Sequence, residues 1–269
     1  MIDTSHSSFT EPVVQVRFGA CSDRGLVRPH NEDSYITAPP CFVVADGMGG
    51  HSRGQAASQT AVERFLPLAN RRWATGEDVL TAIDNASAAV SRLSGEGRPP
   101  GSTLAGVVLT LQSNQPRWLV FNVGDSRVYL LRKGELTQIS EDHSVIWERP
   151  GEGTRSVITR ALGAGMVKPL VADQWLLSVQ ERDQILICTD GLYSEVTEFL
   201  MTALLLGDGD PHEKATSLVD AAKRAGGRDN VTAVVIVVDT VEADGVDFDP
   251  DGETIPGEDD TVQDLEVPS

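Results

Sequence analysis

A chain of 269 residues that is 40% hydrophobic can bury a substantial core, in one large domain or two small ones, and length alone does not decide between them. No apolar run approaches the roughly 18 to 20 residues of a membrane span, and the opening MIDTSHSSFTEPVVQV lacks a basic region followed by a hydrophobic one, so no membrane insertion and a soluble cytoplasmic protein are expected. The net charge of −18 carries no basic stripe with it, which disfavours nucleic acid and anionic membrane as partners.

Residues 1–11 read as a flexible N-terminus and 12–18 as a first strand. A second strand, CFVVA at 41–45, ends directly at Asp46, and Gly47, Gly49 and Gly50 then permit a tight turn and close approach of backbone to a ligand. Apolar residues at helical spacing predict a helix over 53–70 (Ala57, Ala61, Phe65, Leu68) and another over 78–93 (Leu80, Ile83, Ala86, Val90, Leu93). The β-branched and aromatic segments 104–111, 117–123 and 127–132 read as an antiparallel meander, with Gly124-Asp125-Ser126 as a hairpin tip. Further strands are expected at 175–179, 184–188 and 231–238, with helices at 195–206 and 211–225, the latter stopped by Gly226-Gly227. Many short strands interrupted by two helical pairs predict a layered α+β domain over 12–240 and leave the layer order open. Residues 241–269 carry eleven Asp or Glu and no Lys or Arg, leaving 29 acidic against 22 basic residues, a net −7, in the first 240. With few large apolar residues to offset its ordering entropy, this acidic tail is expected to be disordered.

The chemistry-bearing residues are four acidic segments far apart in sequence: Arg28-Pro-His-Asn-Glu-Asp33, Asp46-Gly-Met-Gly-Gly-His51, Thr189-Asp-Gly191 and Asp229-Asn230. Taken alone, each has a bland reading. Asp-Gly is a common turn, Asn31-Glu32-Asp33 a solvated loop or helix start, and Asp229-Asn230 a cap before a strand. Together, each beside an expected strand end, they place several carboxylates that must have their repulsion neutralised, and hard divalent cations with oxygen ligands do this. The pattern points to a metal-dependent hydrolase. Cys21, Cys41 and Cys188 are odd in number and have no CxxC spacing, so they read as buried thiols, not a disulfide framework or zinc site.

In order and wording, these segments resemble the metal-dependent protein phosphatases of the 2C type, over about Asp23 to Asp239. The resemblance implies a four-layer α-β-β-α sandwich, two antiparallel β-sheets flanked by helices, with the metal site between the sheets at one end. It also implies hydrolysis of phosphoserine and phosphothreonine by a water or hydroxide bridging two Mn²⁺ or Mg²⁺ ions, roughly 3.5 to 4 Å apart in such sites. By the same resemblance Asp46 bridges the ions and the Gly47 carbonyl binds one of them. Asp190 and Asp229 complete the first, Glu32 completes the second, and Asp33 holds a metal-bound water. Asp125 helps hold a weaker third ion, its alternative being a turn aspartate that stabilises the loop. Arg28 binds the substrate phosphate, for which a planar guanidinium fork is suited. The implied partners are phosphorylated proteins, including a bacterial Ser/Thr kinase and its substrates.

No covalent nucleophile stands out, because Ser126, Cys188 and Ser194 lie near motifs but no CxxxxxR loop surrounds the cysteine. Met48 stands where some relatives carry a histidine proposed as general acid, and a thioether cannot donate that proton. His51 and His143 are expected to be structural, as are Ser102 and Thr103, which open a strand. Only thirteen residues, VIWERPGEGTRSV, separate Asp142-His-Ser144 from Ile158, where bacterial relatives usually carry a longer, partly helical flap. A shorter flap is expected to leave the cleft more open and to weaken discrimination among phosphopeptides. Two competing readings are a phosphoprotein-binding protein without turnover, against which the complete carboxylate set argues, and a phosphatase dedicated to one regulatory domain.

Overall fold

The computed structural model describes residues 12–49, 52–93, 99–149, 153–165 and 170–242. The chain opens with strands β1 (Val13–Asp23), β2 (Asp33–Ala38) and β3 (Cys41–Met48), then helices α1 (Ser52–Glu63) and α2 (Gly76–Ser91). Strands β4 (Gly101–Ser102), β5 (Leu104–Gln112), β6 (Gln115–Val123), β7 (Arg127–Arg132) and β8 (Glu135–Gln138) follow. After them come β9 (Ser144–Arg149), β10 (Gly153–Ile158), β11 (Leu162–Gly163), β12 (Asp173–Ser178) and β13 (Gln184–Cys188). Helices α3 (Asp190–Tyr193), α4 (Glu198–Leu206) and α5 (Pro211–Ala225) lead into β14 (Val231–Glu242).

The strands build two larger antiparallel sheets, one in the order β1-β14-β13-β7-β8, the other β11-β4-β3-β5-β6-β12 with β2 also on β3. Three apolar layers hold the stack together. Ala57, Ala61 and Phe65 from the α1 segment and Val79, Ile83 and Val90 of α2 pack on Val43, Val108 and Phe121 of the second sheet. Between the sheets, Phe42, Val44, Trp118 and Val120 meet Val128, Ile185, Ile187, Val234 and Ile236. On the far face, Tyr129, Leu186 and Val235 lie under Leu192, Met201, Leu205, Leu218 and Ala222 of α3 to α5. Each fully buried side chain of this size stabilises by roughly 1.5 to 3 kcal/mol before entropy is counted. The result is the expected four-layer α-β-β-α sandwich, in which β3, β5, β7, β13 and β14 are buried on both faces and so read as continuous apolar runs.

Local chemistry sets the helix ends. Thr75 caps α2 by accepting from Asp78 N–H while Asp78 accepts from Thr75 N–H, and Asp210 and Glu213 repeat this reciprocal cap on α5 ahead of Pro211. Gly226, at φ 155°, ends α5 as expected. Three expectations need correction. The first helix stops at Glu63 instead of Asn70, because Pro67 supplies no backbone N–H, and Leu66–Leu68 form a 3-10 turn. The helix expected from 195 begins at Glu198, preceded by the separate turn of α3. Gly124-Asp125-Ser126 is not a hairpin tip: β6 pairs with β5 and β12, β7 pairs with β13 and β8, and the tripeptide carries the chain from one sheet to the other. Either arrangement suits β7, whose four central residues are all buried, so its sequence has no polar face to reveal its partners. The last strand runs to Glu242, so Val241 and Glu242 pair with Val14 and Val13, while 243–269, like 1–11, lie outside the described residues.

Candidate active site

The sheet ends gather the acidic segments. Asp33 and Asp46 are register partners on neighbouring strands β2 and β3. Asp46 is fixed through its backbone: its N–H donates to Thr103 Oγ1 at 2.8 Å, and its carbonyl accepts from Thr103 N–H at 2.9 Å and Ser102 Oγ at 3.1 Å. Ser102 and Thr103 therefore act through backbone hydrogen bonding, as expected. Gly47 N–H donates to the Glu32 carbonyl at 3.1 Å. A side chain at Gly47 is excluded, since a Cβ there would lie 2.0 Å from the Gly54 carbonyl oxygen.

Asp190 opens α3 directly after Thr189, and Asp229 precedes β14. Asp229 Oδ1 accepts its neighbour Asn230's N–H at 2.8 Å, and its Oδ2 takes Arg28 Nη2 at 2.6 Å. Arg28 is raised above the ordinary arginine range, first by that hydrogen bond, and the charges of Asp46 and Asp190 act on it too. Asp125 is buried in the crossover between sheets, with its carbonyl accepting from Tyr193 O–H at 2.8 Å. The Arg127 guanidinium stacks 3.6 Å over the Tyr193 ring and forms a fork on Asp142, fixing this crossover from the side.

The electrostatics follow from this crowding. Burial, followed by repulsion from Asp33, Asp190, Asp125 and Asp229, pushes Asp46 well above the usual carboxylate range. Burial also lifts Asp33 and Asp190 to about 7 and Asp125 to about 6. For Asp33, hydroxyl donors oppose the shift: Thr232 Oγ1 at 2.7 Å and Thr189 Oγ1 at 2.8 Å both reach its Oδ2. Its Oδ1 and the Oδ1 of Asp190 are buried without a hydrogen-bond partner. Buried carboxylate oxygens with no donor, among further carboxylates, call for a proton or a cation. Hard divalent ions with oxygen ligands match this donor set. Among the described residues, no group of three or more His, Cys, Asp or Glu side chains is arranged to hold a metal ion. Two of the candidates are turned onto other partners, Asp229 onto Arg28 and Asp33 onto the two threonines.

The remaining candidates separate cleanly. Cys188 is buried and its thiol raised by that burial, which suits a core residue and not a nucleophile. Ser126 Oγ lies 2.7 Å from Thr103 Oγ1. His143 is structural: its Nδ1 accepts from Gly124 N–H at 3.1 Å, so Nε2 carries the proton and donates to Asp173 Oδ2 at 2.9 Å. Met48 sits in the β3–β4 pairing opposite Gly101. His51 and Gly50 lie outside the described residues. The short flap segment is a two-stranded hairpin of β9 and β10, pairing Ser144 with Ile158 through Arg149 with Gly153, and it exposes Val145, Ile146 and Trp147.

Of two further residues that shape the site, Gly54 was not named from sequence and Asn230 was named without a role. Gly54, inside α1, lies against the Glu32 carboxylate, where a Cβ would come within 2.7 Å of Oε1. Gly54 is the third residue of α1, in its first turn, where a glycine gives no strong signal. Asn230 hydrogen-bonds the loop that carries Arg28 and Glu32, but its sequence position only marked a turn.

This site sits between two antiparallel sheets, on strand ends, in a fold flanked by helices, which defines a class of metal-dependent phosphatase scaffolds. The chain belongs to the protein phosphatase 2C family, whose profile matches residues 29–220. It is 35% identical over 253 residues to the serine/threonine protein phosphatase PstP of Mycobacterium tuberculosis, covering 87% of this chain and 46% of that protein. The chain thus spans about half the length of that relative. It is 32% identical to the serine/threonine phosphatase stp of Listeria monocytogenes, covering 82% of this chain and 95% of that one. The crystal structure of the PstP catalytic domain with two manganese ions superposes with a TM-score of 0.71 at 31% identity, over 85% of this chain and all of that one.

Proposed function

We propose that the protein is a Ser/Thr phosphoprotein phosphatase dependent on Mn²⁺ or Mg²⁺. The observation that carries the reading is the pair of buried, partnerless oxygens on Asp33 and Asp190 within a group of carboxylates whose charges raise one another's pKa values. The relatives named serine/threonine phosphatases, and the PstP domain with two manganese ions, support the substrate class and the metal.

In this reading Asp46 and the Gly47 carbonyl, with Asp190, Asp229 and Glu32, hold two ions, Asp33 orients a water beside them, and Asp125 contributes to a weaker third site. Bound there, the ions would supply an activated water nucleophile and neutralise charge on the phosphoryl group. The protein's own part is positional. Thr103 and Ser102 fix the Asp46 backbone so that its carboxylate stands at the strand end, and Thr189 and Thr232 hold one oxygen of Asp33. Arg28 lies half exposed at the rim, where its guanidinium takes the phosphate of an arriving phosphoserine or phosphothreonine. With Met48 unable to donate a proton, the leaving alkoxide takes its proton from water or from another group of the site. We place this activity in the cytoplasm, acting on a Ser/Thr kinase and that kinase's substrates, with the open hairpin flap accepting varied phosphopeptides. Among the described residues no helix is long and apolar enough to cross a membrane.

The test is hydrolysis of p-nitrophenyl phosphate and of a phosphothreonine peptide, with Mn²⁺ and with EDTA. Turnover of both that needs the metal is expected. Binding of the phosphopeptide without turnover by folded, Mn²⁺-loaded protein would favour the binding-only reading instead.

A further inference from the structure

We infer that Asn230 is a positioning residue that holds the phosphate-binding arginine and the second-ion carboxylate in register with the rest of the site, an inference that rests on the site reading proposed above. Its side chain is buried. Its Oδ1 accepts from the Glu32 N–H at 2.8 Å, and its Nδ2 donates to two carbonyls, Arg24 at 3.0 Å and His30 at 2.8 Å. Both amide hydrogens and the carbonyl are thus spent on one loop, residues 24–32, whose middle bears Arg28 and whose end bears Glu32. Two carbonyl oxygens on one side and an N–H on the other leave one amide orientation that satisfies all three.

The same residue touches the opposite half of the site through its backbone. Its N–H donates to Asp229 Oδ1 at 2.8 Å, and its carbonyl lies so close to Gly191 that a Cβ there would fall 2.0 Å from the Asn230 oxygen. Asp190 is the neighbour of that glycine. Asn230 therefore joins three segments, the loop that bears Arg28 and Glu32, its own beside Asp229, and that of Asp190, and only an amide side chain supplies both the donors and the acceptor that the loop needs. An aspartate of the same shape keeps the acceptor for Glu32 but turns an oxygen toward the Arg24 and His30 carbonyls, so it releases the half of the loop that carries Arg28.

The distinction gives the test. In Asn230→Ala the Mn²⁺ dissociation constant, read by titration calorimetry without substrate, is expected to rise about 10-fold or more, the usual cost of losing a support behind a metal ligand. KM for p-nitrophenyl phosphate at saturating Mn²⁺ should rise with it. Asn230→Asp should raise KM by more than it raises the Mn²⁺ dissociation constant. Should either variant fail to fold, amide hydrogen exchange on the wild-type protein decides. Glu32 N–H, whose partner is this side chain, is expected to be strongly protected, and rapid exchange there would overturn the inference. A folded Asn230→Ala variant with reduced thermal stability but with KM and Mn²⁺ affinity within about twofold of wild type would also overturn it, since that is the signature of a merely structural hydrogen bond. Failure of the site reading itself would look different, as wild-type protein that neither binds Mn²⁺ nor hydrolyses the ester.

Discussion

The guanidinium of Arg28 and the carboxylate of Asp229 meet at 2.6 Å, joining the residue assigned to the substrate phosphate to one assigned to a metal ion. Both partners are partly exposed, so the pair itself contributes little to stability. In the proposed function, phosphate and Asp229 compete for one guanidinium.

Replacing Arg28 should therefore act on substrate binding. Arg28→Ala is expected to lower kcat/KM roughly 10- to 150-fold, mostly through KM, because hydrogen bonds to charged groups are worth roughly 1.5 to 3 kcal/mol. Arg28→Lys should recover part of this, since it restores the charge and not the fork. Steady-state kinetics on a phosphothreonine peptide checks both, and an unchanged KM in the alanine variant would remove Arg28 from the phosphate site.

Gly54→Ala is a steric probe of Glu32. The added methyl would come within 2.7 Å of Glu32 Oε1 and 2.8 Å of the Gly47 carbonyl oxygen, so the flexible carboxylate must move first. Alanine is a better helix former than glycine, which limits any loss of stability in the first turn of α1. The expected outcome is weaker Mn²⁺ binding, by about 10-fold, with the circular dichroism spectrum unchanged. Wild-type Mn²⁺ affinity in the calorimeter would show that Glu32 does not bind the ion.

The carboxylate cluster makes stability depend on pH in a direction set by its raised pKa values. Asp33 and Asp190 titrate at about 7 and Asp125 at about 6 in the folded protein, against about 3.9 in an unfolded chain. Between these limits the folded state binds more protons, so the stability these groups contribute is fully present below the unfolded value and is lost as pH rises through about 6 to 7. In EDTA, the melting temperature should be higher at pH 5.5 than at pH 7.5. One kcal/mol corresponds to about 2 to 4 °C in a chain of this size. Excess Mn²⁺ should reverse the order, because ligands must be deprotonated to bind it. Differential scanning calorimetry at the two pH values tests this, and a melting temperature in EDTA that rises with pH would contradict the burial of these groups.

Truncation separates the acidic tail from the catalytic domain. Removing 243–269 keeps the pairing of Val241 and Glu242 with β1, and activity on p-nitrophenyl phosphate should stay within about threefold of wild type, as the composition of the removed segment gives it no apolar core to pack. A loss of tenfold or more would mean that the tail reaches the cleft.

Which features were legible follows from physical pattern. Ile83, Ala86 and Val90 left a signature of α2 that the structure has, although Leu80, expected on the same stripe, is exposed and Val79 is buried instead, and β3 runs on through Gly47 to Met48 where the strand was expected to end at Asp46. The crossover at Gly124 was read as a hairpin because strands buried on both faces lose the alternation that reveals their partners. Pro67 carried the signal that α1 ends early, but the apolar spacing through Leu68 masked it, since the 3-10 turn keeps Leu68 in the same core. The candidate carboxylates were proposed from four acidic segments beside expected strand ends and from their resemblance to the family's motifs. Asn230 was named beside Asp229 but given no role, because its hydrogen bonds run to residues some 200 positions away, which no local pattern encodes.

Whether Asp46 draws two metal ions into one site is measured by counting the Mn²⁺ bound to wild type and to Asp46→Asn by titration calorimetry. Two tight ions per wild-type chain are expected, with loss of tight binding in the variant although it keeps its fold. Equal stoichiometry and affinity in the two proteins would contradict that role of Asp46.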